Sequence, residues 1–118
     1  MSARGFRAWA PIVLWAAVIF AFSSVPSLST ELGTWDTILR KLAHLTEYAI
    51  LGALLTRATR APALAVLVAG LYAVTDEVHQ MFVEGRVGAP LDVAIDTVGA
   101  LVGVLVWLRL ERAWGARA

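Results

Sequence analysis

Residues 8–22 read AWAPIVLWAAVIFAF, and the chain carries no charge from there to Thr30. A helix needs about 20 mostly apolar residues to cross the hydrocarbon core of a bilayer. Arg4 and Arg7 stand just before this run. A cleaved signal peptide has the same basic start and apolar stretch. The rest of the chain argues against that reading, because what would remain is too apolar for a secreted soluble domain. Hydrophobic residues make up 59% of the 118, and mean hydropathy is +0.73. An ordinary soluble domain is about 45–50% apolar, and so short a chain buries a limited share of its surface in water. Lipid accounts for this composition better than a large core does.

Three more segments follow outward from the first. The second runs from about Thr37 to Arg57; its first half is ILRKLAHLTEY (38–48), and its second, Ala49 to Leu55, is apolar. The third runs from about Pro62 to Val83, uncharged to Thr75 and then carrying Asp76, Glu77, His79 and Gln80. The fourth runs from about Leu91 to Leu110, with Asp92 and Asp96 near its start and apolar sequence from Val98 to Leu108. Pro62 and Pro90 stand at the starts of segments three and four, where a missing N–H costs nothing. The expected fold is all-α: one domain over residues 1–118, a polytopic bundle of four transmembrane helices. No internal repeat, low-complexity tract or linker interrupts it.

Loop charges orient the bundle. Arg4 and Arg7 precede segment one, Arg57 and Arg60 separate two from three, and Arg109, Arg112 and Arg117 follow four. The opposite loops hold Glu31 and Asp36, then Glu84 and Arg86. Basic residues near span ends mark the cytoplasmic side, so both termini are expected there. Segment two then descends with its charged half outside. Segment three ascends to a charged outer end, and segment four descends from one. All three place their polar residues in the outer leaflet. Trp9, Trp35, Trp107 and Trp114 sit near predicted boundaries as interface anchors, with Trp15 inside the first span.

Formal net charge is +1, and no like-charge run exceeds Arg40-Lys41 or Asp76-Glu77. Nucleic acid is therefore not an expected partner, since phosphate binding needs a basic patch. With no cysteine, disulfides, thiolate nucleophiles and cysteine metal sites are excluded.

At about 100° per residue, Lys41, His44, Glu47 and Tyr48 fall within roughly 120° of one helix face. Asp76, Glu77 and Gln80 share a face, from which His79 points away as a structural or lipid-facing residue. Asp92 and Asp96 are one turn apart, and Gly99 and Gly103 continue their stripe. Small residues spaced by four let a neighbouring backbone approach closely, so this stripe is expected to face segments two and three. A carboxylate in a bilayer costs a few kcal/mol and persists when paired or when it serves a site. Arg40, Asp36 and Glu84 read instead as residues that snorkel to the interface.

The sequence resembles the VanZ-like family. The blocks that carry the resemblance are Lys41-x-x-His44-x-x-Glu47-Tyr48-x-x-Leu51, then Asp76-Glu77-x-x-Gln80-x-Phe82-x-x-Gly85-Arg86, then Asp92 and Asp96-x-x-Gly99-x-x-x-Gly103. Phe22-Ser23-Ser24-Val25-Pro26 also matches the family's Ser-Ser after its first span. Order and spacing agree over about residues 10–110. Ala89 stands where a small polar residue is common, and Asp96 where Asn also occurs. The resemblance implies a multi-spanning bacterial membrane protein, located in the cell (inner) membrane. The family's namesake is linked to resistance to teicoplanin, a glycopeptide acting on cell-wall precursors.

The expected partners are thus membrane lipids or lipid-linked cell-wall intermediates. Lys41, Tyr48, Gln80, Arg86, Asp92 and Asp96 are the candidate ligand-binding residues, with Lys41 and Arg86 suited to an anionic head group. The alternative is an intramembrane hydrolase or transferase with His44 as general base beside Glu47, Asp76 and Glu77. No metal motif is present, and no metal or other cofactor is assigned. Were a divalent ion held, the carboxylates alone would suit Mg²⁺ or Mn²⁺, and His44 would admit Zn²⁺. Proton-coupled transport ranks below both, because the inner halves of segments two to four offer little beyond Thr56 and Thr75 for a through-path. A purely structural network is the fourth reading.

Overall fold

A computed structural model describes residues 2–24, 34–83 and 90–117, with side chains placed for all of these except residues 34–37, 116 and 117. Every regular element among the described residues is an α-helix: α1 (Ala3–Ser23), α2 (Thr34–Thr59), α3 (Pro62–Gln80) and α4 (Pro90–Arg117). The Ser2 hydroxyl caps α1 by accepting from the Gly5 N–H at 3.0 Å. α3 and α4 both begin on proline, where the ring's fixed φ suits the first turn. Only Arg60 and Ala61 separate α2 from α3. Arg60 takes φ 54°, the left-handed conformation that commonly closes a helix, and the Thr59 hydroxyl receives the Ala61 N–H at 3.1 Å.

That tight turn makes α2 and α3 antiparallel. Contacts between α2 and α4 run in the same chain direction, Lys41 to Asp92 and then His44 to Asp96, so those two are parallel. α1 runs with α3, since Ala16 meets Tyr72 and Ser24 meets His79. The result is an up-down-up-down arrangement. It collects the polar ends of α2, α3 and α4 at one end of the bundle.

The most extensive interface is between α2 and α4, and glycine makes it close. A Cβ on Gly99 would stand 2.6 Å from the Leu45 carbonyl oxygen, and one on Gly103 or Gly52 would collide with the backbone of Ala49 or Ala100. α3 offers a similar stripe of small side chains, Ala65, Ala69 and Ala73, all fully buried. Leu51, Leu55 and Val104 fill the space between. These stripes continue toward the polar end as Tyr48 and His44 on α2, Asp76 and Gln80 on α3, and Asp96 on α4. One inward face is thus apolar in one half and polar in the other.

α1 is peripheral. It is pinned by the Trp15 indole N–H donating to the Glu47 carbonyl at 2.8 Å and by the Tyr72 hydroxyl donating to the Ala16 carbonyl at 2.6 Å. The outward surface is apolar: Leu14, Phe20, Leu67, Leu71 and Leu105 are each more than half exposed. α1 and α4 are long and apolar enough to cross a membrane. Arg86, Gly85, Ala89, Glu84 and Glu31 lie outside the described residues, and the side chains of Trp35 and Asp36 do as well.

Candidate functional site

The polar end of the bundle is built in three layers, each about one helical turn deeper than the last. At the rim, the Lys41 ammonium donates to Asp92 Oδ1 at 3.2 Å, with the two side chains 44% and 26% exposed. One turn in, His44 Nδ1–H donates to Asp96 Oδ1 at 3.2 Å. On the other side of the ring, the Gln80 amide donates to His44 Nε2 at 3.3 Å. The network places the proton: an amide nitrogen only donates, so Nε2 carries the lone pair and Nδ1 the hydrogen. Deeper still, the Tyr48 hydroxyl donates to Asp76 Oδ2 at 3.1 Å. From Lys41 to Tyr48 the α2 backbone rises about 10 Å.

Burial increases down the ladder. Tyr48 is fully buried, while Asp96 and Asp76 are 1% and 3% exposed. The ring of Tyr48 lies between those of His44 and Tyr72, with centroids 6.3 Å and 6.2 Å away, which closes the bottom of the polar half. Two carboxylate oxygens in the cluster, Asp76 Oδ1 and Asp96 Oδ2, are buried and accept no hydrogen bond. His44, Asp76 and Asp96 each bring one ligand atom to within 4.8 Å of the other two. Among the described residues this is the group whose donor set suits a metal ion.

The structure brings seven of the sequence-derived candidates into this ladder: Lys41, Tyr48, Gln80, Asp92 and Asp96 from the ligand-binding set, and His44 and Asp76 from the acid–base set. Glu47 is half-buried on α2, and its backbone carbonyl receives the Trp15 indole. Glu77 is buried on α3 next to Asp76. Arg86 lies outside the described residues.

The VanZ/LLP1 family model matches residues 8–111 of this sequence. The chain belongs to the VanZ/LLP1 family. No curated protein and no solved structure matches it. Family membership and the two apolar helices long enough to span a bilayer together point to a membrane protein. The matched range takes in every residue of the ladder, so the polar cluster lies within the family's shared region and not in an appended tail.

Some contacts were not legible beforehand. His79 stacks on Phe20 with centroids 4.1 Å apart. Its Nε2–H donates at 2.9 Å to the Ser24 hydroxyl, which in turn donates to the Phe20 carbonyl at 2.8 Å. His79 is therefore a structural tie between α3 and α1. Trp15 likewise joins α1 to α2. A tryptophan in the middle of an apolar span signals such a bond, because its N–H usually finds a partner when buried, but the sequence does not say which carbonyl receives it.

Proposed function

We propose that this VanZ/LLP1 protein crosses the bacterial cell membrane four times with both termini cytoplasmic. In its outer-leaflet half it binds the head group of an envelope lipid or lipid-linked intermediate. One observation carries the reading: a polar ladder inside an apolar bundle opens at an exposed Lys41–Asp92 pair and is closed below by aromatic rings. A lipid head group at that depth would exchange the Lys41–Asp92 pair for its own phosphate and hydroxyl or amine groups, and its chains would stay against the apolar outer faces.

Four spans are supported by length and exposure. At 1.5 Å per residue, the 26 residues of α2 and the 19 of α3 rise about 39 and 28 Å, against a hydrocarbon thickness near 30 Å. α3 turns Leu64, Leu67, Leu71, Val74 and Val78 outward, and a contiguous apolar face of this kind needs a cover. The cytoplasmic assignment of the termini rests on the positions of the basic residues.

The test is mass spectrometry of lipids retained in mild detergent. The parent is expected to hold a defined lipid class that Lys41→Ala and Gln80→Ala lose. Equal retention by the folded variants tells against the proposal. Glycopeptide susceptibility of cells carrying the same variants, with expression matched, then reports whether binding bears on resistance.

A second reading, an intramembrane hydrolase or transferase, draws on the orientation of His44. Asp96 holds its Nδ1–H, and its Nε2 lone pair, which accepts from the Gln80 amide, would take a substrate proton in that amide's place, as an oriented general base requires. Turnover of an envelope-lipid extract that His44→Gln leaves unchanged would remove it.

A further inference from the structure

Asp76 and Asp96 come from different helices and meet beside His44 from a third. Each carboxylate has one oxygen held and one bare. Asp76 Oδ2 accepts from Tyr48 and Asp96 Oδ1 from His44, whereas Asp76 Oδ1 and Asp96 Oδ2 are buried with no partner. An acceptor left bare in a protein interior costs about 1–3 kcal/mol, and more when it is charged. Lys41 is bonded to Asp92 at the rim. With both carboxylates ionised and the imidazole neutral, this layer would carry a charge of −2, which a dication would match.

We propose that His44, Asp76 and Asp96 hold a divalent transition-metal ion, Mn²⁺ or Zn²⁺, inside the bundle. The bare oxygens Asp76 Oδ1 and Asp96 Oδ2 are the carboxylate donors. His44 completes the set through Nδ1, which stands 3.2 Å from Asp96 Oδ1 and passes its proton to Nε2 when the ion binds. Ligands about 2.1 Å from a metal stand about 3.4 Å apart in a tetrahedron. One ligand atom from each of the three residues already lies within 4.8 Å of the other two, and side-chain rotations close the rest. The remaining hydrogen bonds become the outer shell: Tyr48 orients Asp76, and Gln80, its amide turned so that the carbonyl oxygen accepts from Nε2–H, orients the imidazole. Outer bonds of this type raise ligand basicity and fix the ring. Mixed nitrogen and carboxylate donation suits Mn²⁺ and Zn²⁺ better than Ca²⁺, which takes six to eight oxygens. The remaining coordination positions face the ladder, where water or a ligand oxygen would fill them.

The ion site stands apart from the lipid reading, since an ion bound without retained lipid supports the first and not the second. The full chain in detergent is stripped with a chelator and titrated with MnCl₂ or ZnCl₂, with calorimetry and elemental analysis as readouts. About one ion per chain is expected. Asp76→Asn and Asp96→Asn should each weaken binding by roughly tenfold or more, while Glu111→Gln on the exposed end of α4 leaves it unchanged. Bound Mn²⁺ should show hyperfine coupling to one imidazole nitrogen by pulsed electron paramagnetic resonance, lost in His44→Gln. Helicity and elution volume check that each variant is folded. Should a variant not fold, the parent's stoichiometry and nitrogen coupling decide. Substoichiometric binding of both metals by the parent, parental affinity in folded Asp76→Asn and Asp96→Asn, or bound Mn²⁺ without nitrogen coupling overturns the proposal.

Discussion

Replacing Gly103 by alanine adds a single methyl group where α4 crosses α2. That methyl would stand 2.5 Å from the Ala49 carbonyl carbon and 2.7 Å from its Cα, whereas packed carbons stay about 3.5–4.0 Å apart. Both obstructing atoms are backbone, so no side chain can rotate away, and the helices must separate by about 1 Å. Asp96 lies seven residues, about 10 Å, up the same stripe of α4. If α4 moves as a rod, the His44–Asp96 contact lengthens from 3.2 Å to about 4 Å, beyond hydrogen-bonding range. Overpacking costs about 1–3 kcal/mol, and the lost bond about 1 kcal/mol. Higher helix propensity returns about 1 kcal/mol. Gly103→Ala should therefore destabilise by about 1–3 kcal/mol. Gly115→Ala meets nothing within 4 Å, and Gly70→Ala meets only the Thr97 side chain at 3.5 Å; both should be neutral or slightly stabilising. Unfolding in detergent micelles, followed by circular dichroism, measures all three. Parental stability in Gly103→Ala, or equal losses in Gly115→Ala, would refute the close-packing argument.

Three other outcomes are expected. Tyr48→Phe strips the donor from a buried carboxylate oxygen and should cost about 1–3 kcal/mol in the same unfolding measurement, with helicity kept. Trp15→Phe keeps the ring but removes the N–H to the Glu47 carbonyl; it should cost about 1 kcal/mol and speed hydrogen exchange in α1 ahead of α2–α4. Because the chain has no cysteine, single cysteines report sidedness cleanly: Glu31→Cys should react with an impermeant thiol reagent applied from outside, and Ser2→Cys and Gly115→Cys only after permeabilisation. The reverse pattern would invert the proposed topology.

The helices and their directions were largely legible in the chain. Long apolar runs, prolines at the starts of segments three and four, and basic residues at alternate ends each carry a local meaning. That is why the expected segments and the four observed helices nearly coincide. The boundaries differ most at the ends: α2 extends from Thr34 to Thr59 and α4 from Pro90 to Arg117, beyond the expected Thr37–Arg57 and Leu91–Leu110. Polar end residues continue a helix without looking like part of a span. The small stripe on α4 was readable as Gly99 and Gly103, whereas its counterpart on α3, Ala65-Ala69-Ala73, was hidden because alanine is common in any helix.

Pairing was a different matter. Helical spacing put Lys41, His44 and Tyr48 on one face and Asp92 and Asp96 on another, and those angles hold for any rotation of the two helices about their axes. Glycines on α4 and α2 bring those two backbones close enough to set that rotation. It matches Lys41 with Asp92, His44 with both Asp96 and Gln80, and Tyr48 with Asp76. His79, a residue with no evident partner in the sequence, meets Ser24 at the C-cap of α1. By itself the sequence determined that ionisable residues gather at one end of an apolar helical chain, because hydropathy and period are properties of each segment alone. Only the tertiary structure decided which of them touch and which carboxylate oxygens stay bare, because hydrogen bonds reach about 3 Å and depend on how closely whole helices pack.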